Sequence, residues 1–264
     1  MKKVIFQGIT IVLAFLLTWG ILMQFDWMHI FKVKQQQEKT EEKLGKLIWE
    51  LFAEEENKEP QVVAAVDSIV THICTTNNID REKIQLHIVN EDEVNAFALP
   101  NGHLVVYSGL IVKANEQHEL GGVISHEIAH IELNHVMQKL IQEIGLSALI
   151  SITTGNNSTQ ILQEVAKMLS SSAFERTLEK EADIQAVDYM LNAQLKPESF
   201  ANFMYKLATE ENSASKYLAW ISSHPESKER ANYIINYSKG KTKRIQNVIT
   251  DSTWQDLQKS LQKN

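Results

Sequence analysis

Hydrophobic residues along this chain recur mostly at helical intervals. From about Glu116 to Ile141, Leu120, Ile124, Ile128 and Ile131 follow one another at spacings of four, four and three, the period of a helix with one face in a core. Ser172 to Met190 reads as another helix, with Ala173, Leu178, Ala182, Ala186, Val187 and Met190 apolar. Pro60 opens a third, through His72, and proline suits a first helical position. Only Ile84–Val89 alternates with period two and reads as a strand. Leu104–Tyr107 is a second short strand, set off by Pro100, Asn101 and Gly102. After Gly109 the pattern is helical almost throughout. The expected fold is mainly α with a small β-sheet (α+β), in a domain over residues 60–264.

The N-terminal region has a different pattern. Val4–Phe25 carries no charge and follows Lys2 and Lys3, so it suits a membrane-spanning helix or a signal peptide. Thr18-Trp19-Gly20 is a poor cleavage site, and the expectation is an uncleaved anchor over residues 1–33, with a cleaved, secreted form as the alternative. Trp19 and Trp27 suit an interface belt. Lys2 and Lys3 favour a cytoplasmic N-terminus with the larger domain outside, in a periplasmic setting, although Lys32 and Lys34 weaken the bias. Residues 34–59 form a charged helical connector. Its apolar side, Leu44, Leu47, Ile48, Leu51 and Phe52, is expected to pack on the following domain or on a partner.

Composition excludes several classes. The net charge is −7, and the one short basic run, Lys239–Arg244, reads as a solvated loop, so no nucleic-acid partner is expected. Cys74 is the only cysteine, which rules out an internal disulfide and a cysteine-based metal site. Ile144–Ile152 is apolar but too short to span a bilayer, and it runs into a turn at Thr153–Ser158. That insertion suits a lid, a membrane-touching loop or a buried helix end.

The chemistry concentrates at His126-Glu127-Ile128-Ala129-His130. Histidines four apart on a helix differ by about 40° in direction, so both rings reach one metal ion. Glu127, beside the first ring, is placed to act on a water that the metal acidifies. Gly122 shares this face and lets another segment approach closely. Short-spaced zinc proteases add a glycine and a third histidine on the same segment, but here Leu133 and Val136 occupy those places. His135, five residues after His130, points roughly 140° away and is a poor ligand. The third ligand must come from elsewhere. Glu179-Lys180-Glu181-Ala182-Asp183 offers carboxylates, with Glu179 and Asp183 on one face. One carboxylate can complete the site while Asp183 takes a histidine N–H.

These blocks, with Leu120–Ser125 leading into the histidine motif, Asn95–Gly102 upstream and Ser222-Ser223-His224-Pro225 downstream, resemble the gluzincin metalloproteases. That family includes HtpX-type membrane proteases, the Oma-type mitochondrial protease and their periplasmic bacterial relatives. The resemblance covers about Ile84 to Tyr237 and implies a zincin-type domain holding one Zn²⁺ per chain. It implies His126, His130 and Glu179 as ligands, with Glu181 as fallback, Asp183 behind a histidine, and Glu127 as general base. Asn101 stands where relatives usually have glycine, and asparagine tolerates the positive φ of such a turn.

The resemblance also implies that Asn95–Tyr107 forms a sheet edge that pairs with extended protein or peptide substrates, with Asn95, Phe97 and Tyr107 as candidate contacts. His224, before Pro225, would either stabilise an oxyanion or occupy the metal's open position as a resting-state ligand. Arg230 would support that loop or meet a substrate carboxylate. The expected function is thus a membrane-anchored zinc endopeptidase in envelope or membrane protein quality control. The alternatives are a non-catalytic, zinc-stabilised chaperone or assembly factor of the same fold, and a prenyl-protein protease, disfavoured because that class has many spans. Oligomeric state is not readable from the sequence.

Overall fold

A computed structural model describes residues 2–22, 33–155, 159–209, 218–241 and 244–262. Residues 1–40 and 41–264 form two compact units. The first holds α1 (Lys2–Leu22) and the opening turns of α2 (Val33–Trp49). The uncharged run expected to span a membrane lies on α1, which is described over Lys2–Leu22. Gln7, Gly8, Thr10 and Thr18 interrupt the run, and residues 23–25 lie outside the described residues, as do Trp27 and Lys32. Among the described residues no helix is long and apolar enough to cross a membrane. The membrane-anchor, single-pass, periplasmic and membrane-partner expectations are corrected accordingly: absence of charge over a stretch of sequence overstated the apolar length that the helix provides.

The second unit is built around a three-stranded sheet in the order β1 (Gln85–Val89), β3 (His103–Tyr107), β2 (Ala96–Leu99), so β2 is an edge strand. β1 pairs parallel with β3, and β2 pairs antiparallel with β3, Phe97 opposite Val105. The turn between β2 and β3 places Asn101 at φ 62°, a left-handed conformation that asparagine adopts more readily than most residues.

Both sheet faces are buried, because alternate residues feed two cores. Leu104 and Val106 join the larger core with α3 (Pro60–Thr76), α5 (Gln117–Glu132), α9 (Arg176–Asn192) and α10 (Pro197–Thr209). Val105 and Tyr107 join the other, which also holds Leu44 and Ile48 of α2, Met137 and Leu140 of α6 (His135–Glu143), and residues of α7 (Leu146–Thr154) and α8 (Thr159–Ser171). α4 (Ser108–Lys113) follows β3. The C-terminal part supplies α11 (Leu218–Ser223), α12 (Ser227–Ser238) and α13 (Asp251–Leu261).

Three elements depart from the sequence pattern. The long helix expected to reach Ile141 breaks after Glu132, and Asn134, at φ 58°, turns the chain into α6. The helix expected from Ser172 begins only at Arg176, because Glu175 is extended (ψ 145°). The insertion after Ile144 is two helices, α7 and α8, and the central turn residues 156–158 lie outside the described residues, as do 242 and 243 of the basic run.

Candidate metal centre

The centre lies where α5, α9 and the α11–α12 junction meet. Leu120, Ile124 and Ile128 anchor α5 in the larger core, which leaves His126 and His130 on its other side, both fully buried. Gly122 sets how closely the next layer approaches: a Cβ there would lie 2.4 Å from Cβ of Phe200 on α10. The Phe200 ring in turn packs 5.9 Å from His126.

His126, His130, Glu179 and His224 each offer one ligand atom, all within 4.8 Å of one another. His126 Nε2 lies 3.0 Å from His130 Nε2 and 3.2 Å from His224 Nδ1. The Glu179 carboxylate lies 3.4 Å from His130 Nε2, 3.6 Å from His126 Nε2 and 3.0 Å from His224 Nδ1. Tetrahedral zinc with bonds of about 2.0–2.1 Å holds its ligand atoms about 3.3 Å apart. These buried nitrogens and carboxylate oxygens therefore fit a single Zn²⁺.

Arg230 of α12 supports this cluster. Its guanidinium contacts Asp183 through Nε and Nη2, and Glu179 through Nη1. Asp183 also receives the Tyr233 hydroxyl and faces His126 Nδ1 at 3.0 Å. Burial pushes the Asp183 carboxyl up, but Arg230 and His126 outweigh it and hold the pKa at about 2. Burial likewise raises Glu179, yet His224 and Arg230 hold it well below the usual carboxylate range. The His126 ring is lowered to about 3 by burial, against the pull of Asp183. Both acids therefore stay anionic while His126 stays neutral, the states that metal binding requires.

Glu127 differs. Both its oxygens are buried, and His224 Nε2 is 3.4 Å from one of them. Burial pushes its carboxyl up to about 8, opposed by His130, the Ala98 backbone N–H and Arg230, and reinforced by Glu179. The Ala98 amide belongs to edge strand β2. Because Tyr107 N–H donates to the Asn95 carbonyl, alternation turns the N–H and C=O of Ala96 and Ala98 away from β3, towards the sheet edge, where both residues are buried.

The other sequence candidates fall as follows. Phe97 and Tyr107 are buried in the smaller core, edge to face at 5.5 Å, and do not line the centre. Asn95 is buried and donates to the Ser170 carbonyl. Arg230 faces Asp183 and Glu179, not a solvent-open groove. Glu181 stands outside the ligand cluster, with its side chain 64% exposed. His224 is not held at a proline-initiated helix start. It follows α11, its N–H bonded to the Trp220 carbonyl, and α12 begins two residues after Pro225, beyond Glu226 at φ 63°.

Sequence reasoning missed His135, Phe174 and Trp220. The Asn134 turn swings His135 back so that its Nδ1 lies 3.1 Å from His130 Nδ1. Phe174 stacks on the His130 ring at 4.2 Å, and Trp220 lies 4.9 Å from the His224 ring. An asparagine before a second histidine was the one available signal, since it marks a break that re-aims the ring.

Two histidines and a glutamate around one metal position, with a buried carboxylate beside it, are the donor set of the zinc metallopeptidase class. The chain belongs to peptidase family M48, whose model matches residues 60–237. It is similar to the metalloprotease LoiP of Escherichia coli, with 30% identity over 60% of this chain and 64% of the relative. It is also similar to the mitochondrial metalloendopeptidase OMA1 of Bos taurus, at 28% over 64% and 36%, and to the beta-barrel assembly-enhancing protease of Yersinia pestis, at 24% over 63% and 37%. The chain thus spans less than two thirds of the length of each of these relatives.

Proposed function

We propose that this chain is a zinc-dependent endopeptidase acting on extended segments of proteins or peptides, with His126, His130 and Glu179 as the ligands and Glu127 as general base. The observation that carries this reading is the Glu127 carboxylate, fully buried beside the metal cluster and facing edge strand β2 at Ala98. An extended substrate would add beside β2 once the cover over Ala96 and Ala98 moves aside, and such pairing recognises backbone and so admits many sequences. Bound zinc supplies Lewis acidity that polarises the scissile carbonyl and acidifies water. Glu127 takes a proton from the attacking water at one oxygen and delivers it to the leaving amine nitrogen. Asp183 keeps the Nδ1 proton of His126 and so leaves its Nε2 lone pair for the metal. The endopeptidase names of the relatives agree with this reading.

Glu127→Gln tests it against a non-catalytic, zinc-stabilised assembly factor. The substitution keeps size and buried polarity but removes the base. Zinc content and melting temperature should stay at wild-type values while hydrolysis of an unstructured protein such as casein falls by about 10²–10⁴-fold. Unchanged turnover would refute the mechanism.

A further inference from the structure

We propose that His135 is a positioning residue for His130: its ring accepts the His130 Nδ1 proton and so leaves His130 Nε2 free for zinc, while Glu181 fixes the tautomer of His135. This inference rests on His130 being a zinc ligand. His130 Nε2 faces His126 Nε2 and Glu179, so a ligand tautomer must carry its proton on Nδ1. Among the described residues, Nδ1 of His135 lies opposite that nitrogen, at 3.1 Å. Two unprotonated nitrogens at that distance repel, and two protonated ones clash, so one proton lies between them. With His130 supplying it, His135 must present a bare Nδ1 and carry its own proton on Nε2. That nitrogen faces Glu181 Oε2 at 3.4 Å. The direction of the whole chain, from His130 through His135 to Glu181, is thus fixed by the metal end.

The two ligand histidines are therefore backed by different chemistry. Behind His126 stands Asp183, a fully buried carboxylate already held by Arg230 and Tyr233. Behind His130 stands a neutral ring, itself 2% exposed, linked to a carboxylate at the surface. The arrangement depends on Asn134, whose left-handed backbone ends α5 and brings a residue five positions on back to its neighbour.

The test uses the full chain, loaded with one equivalent of zinc and challenged with a chromogenic chelator. Loss of such a partner typically weakens metal binding by roughly 10–100-fold, and His135→Leu should release zinc that much more readily. His135→Asn should hold zinc near the wild-type level, because its Oδ1 accepts where Nδ1 did. Glu181→Ala should have a small effect. In ¹⁵N-histidine spectra of the zinc-loaded wild type, His135 should show a protonated Nε2 and an unprotonated Nδ1, a readout that needs no variant. The opposite tautomer, equal zinc retention in wild type and His135→Leu, or equal loss in the Leu and Asn variants would each overturn the role. A wild type that binds no zinc would instead overturn the reading of the centre itself.

Discussion

Arg230 and Asp183 meet side by side, Nε to Oδ2 and Nη2 to Oδ1, both at 2.7 Å, in a site where neither is more than 4% exposed. The pair ties α12 to α9 directly behind the metal cluster. Removing one member of a buried, forked pair leaves the other charge uncompensated, which costs about 3–5 kcal/mol. Arg230→Met should therefore lower the unfolding free energy of the zinc-free chain by that amount in urea titrations. Arg230→Lys should recover little, since an ammonium cannot satisfy both oxygens in a fixed fork. A zinc-free Met variant as stable as wild type would show that Asp183 and Glu179 find other partners.

Gly122 offers a packing test. A Cβ there would meet Phe200 at 2.4, 2.7 and 2.9 Å from its Cβ, Cγ and Cδ2, and the clash with Cβ cannot be relieved by rotating the ring. Alanine favours helix by about 1 kcal/mol over glycine, yet overpacking typically costs about 1–3 kcal/mol. The second effect should win, so Gly122→Ala should destabilise the chain and loosen zinc, because α10 must retreat from α5. Phe200→Leu in the same chain should restore part of both. A Gly122→Ala chain that gains stability would mean α10 yields at no cost.

Much of this site was legible because local periodicity decided it. The stripe Leu120–Ile124–Ile128 fixed which way His126 and His130 turn, and the three-residue and four-residue spacings around Glu179 and Asp183 put two carboxylates on one face. What stayed hidden depended on single backbone conformations or on distant partners. Asn134 at φ 58° separates α6 from α5, and a periodic pattern runs straight through such a break. Phe174 looked like a helix position but lies on an extended stretch that delivers it to His130. The parallel pairing of β1 with β3 joins strands separated by β2, so no adjacent-residue signal reveals it. The span expectation failed because counting uncharged residues gives no weight to Gln7, Gly8, Thr10 and Thr18, which dilute the apolar run on α1.

A pH prediction comes from the other side of the sheet. His103 Nδ1 lies 2.8 Å from His87 Nε2, and His87 Nδ1 faces Glu56 at 3.0 Å, with Trp49 stacked 3.6 Å from the His87 ring. Burial, with His87 adding, lowers His103 from 6.5 to about 4. Burial also lowers His87, against Glu56. A histidine lowered in the fold stays neutral there while the unfolded chain takes up a proton. Its stabilising effect is full above pH 6.5 and is lost as pH falls from 6.5 towards 4. For His103 that is about 3 kcal/mol at most. Zinc ligands titrate in the same range, so the readout is the difference between wild type and His103→Gln in urea unfolding at pH 7.5 and 4.5. The variant should lose less stability on acidification, and identical losses would count against a neutral, buried His103.

His224 decides whether the described centre is a resting or a working state. Its Nδ1 sits at a ligand corner, 3.2 Å from His126 Nε2 and 3.0 and 3.1 Å from the two Glu179 oxygens, while its Nε2 points at Glu127. A catalytic zinc site needs three protein ligands and one open position, and a fourth ligand closes it. We therefore expect His224→Ala to keep three ligands and its zinc while raising peptide turnover or self-cleavage. Zinc content and turnover should be measured on the same preparation. Were the ring instead an oxyanion donor, the substitution would lower kcat by as much as ~10²–10³-fold with zinc retained. Loss of zinc together with activity would make His224 an obligatory ligand and leave no resting state to release.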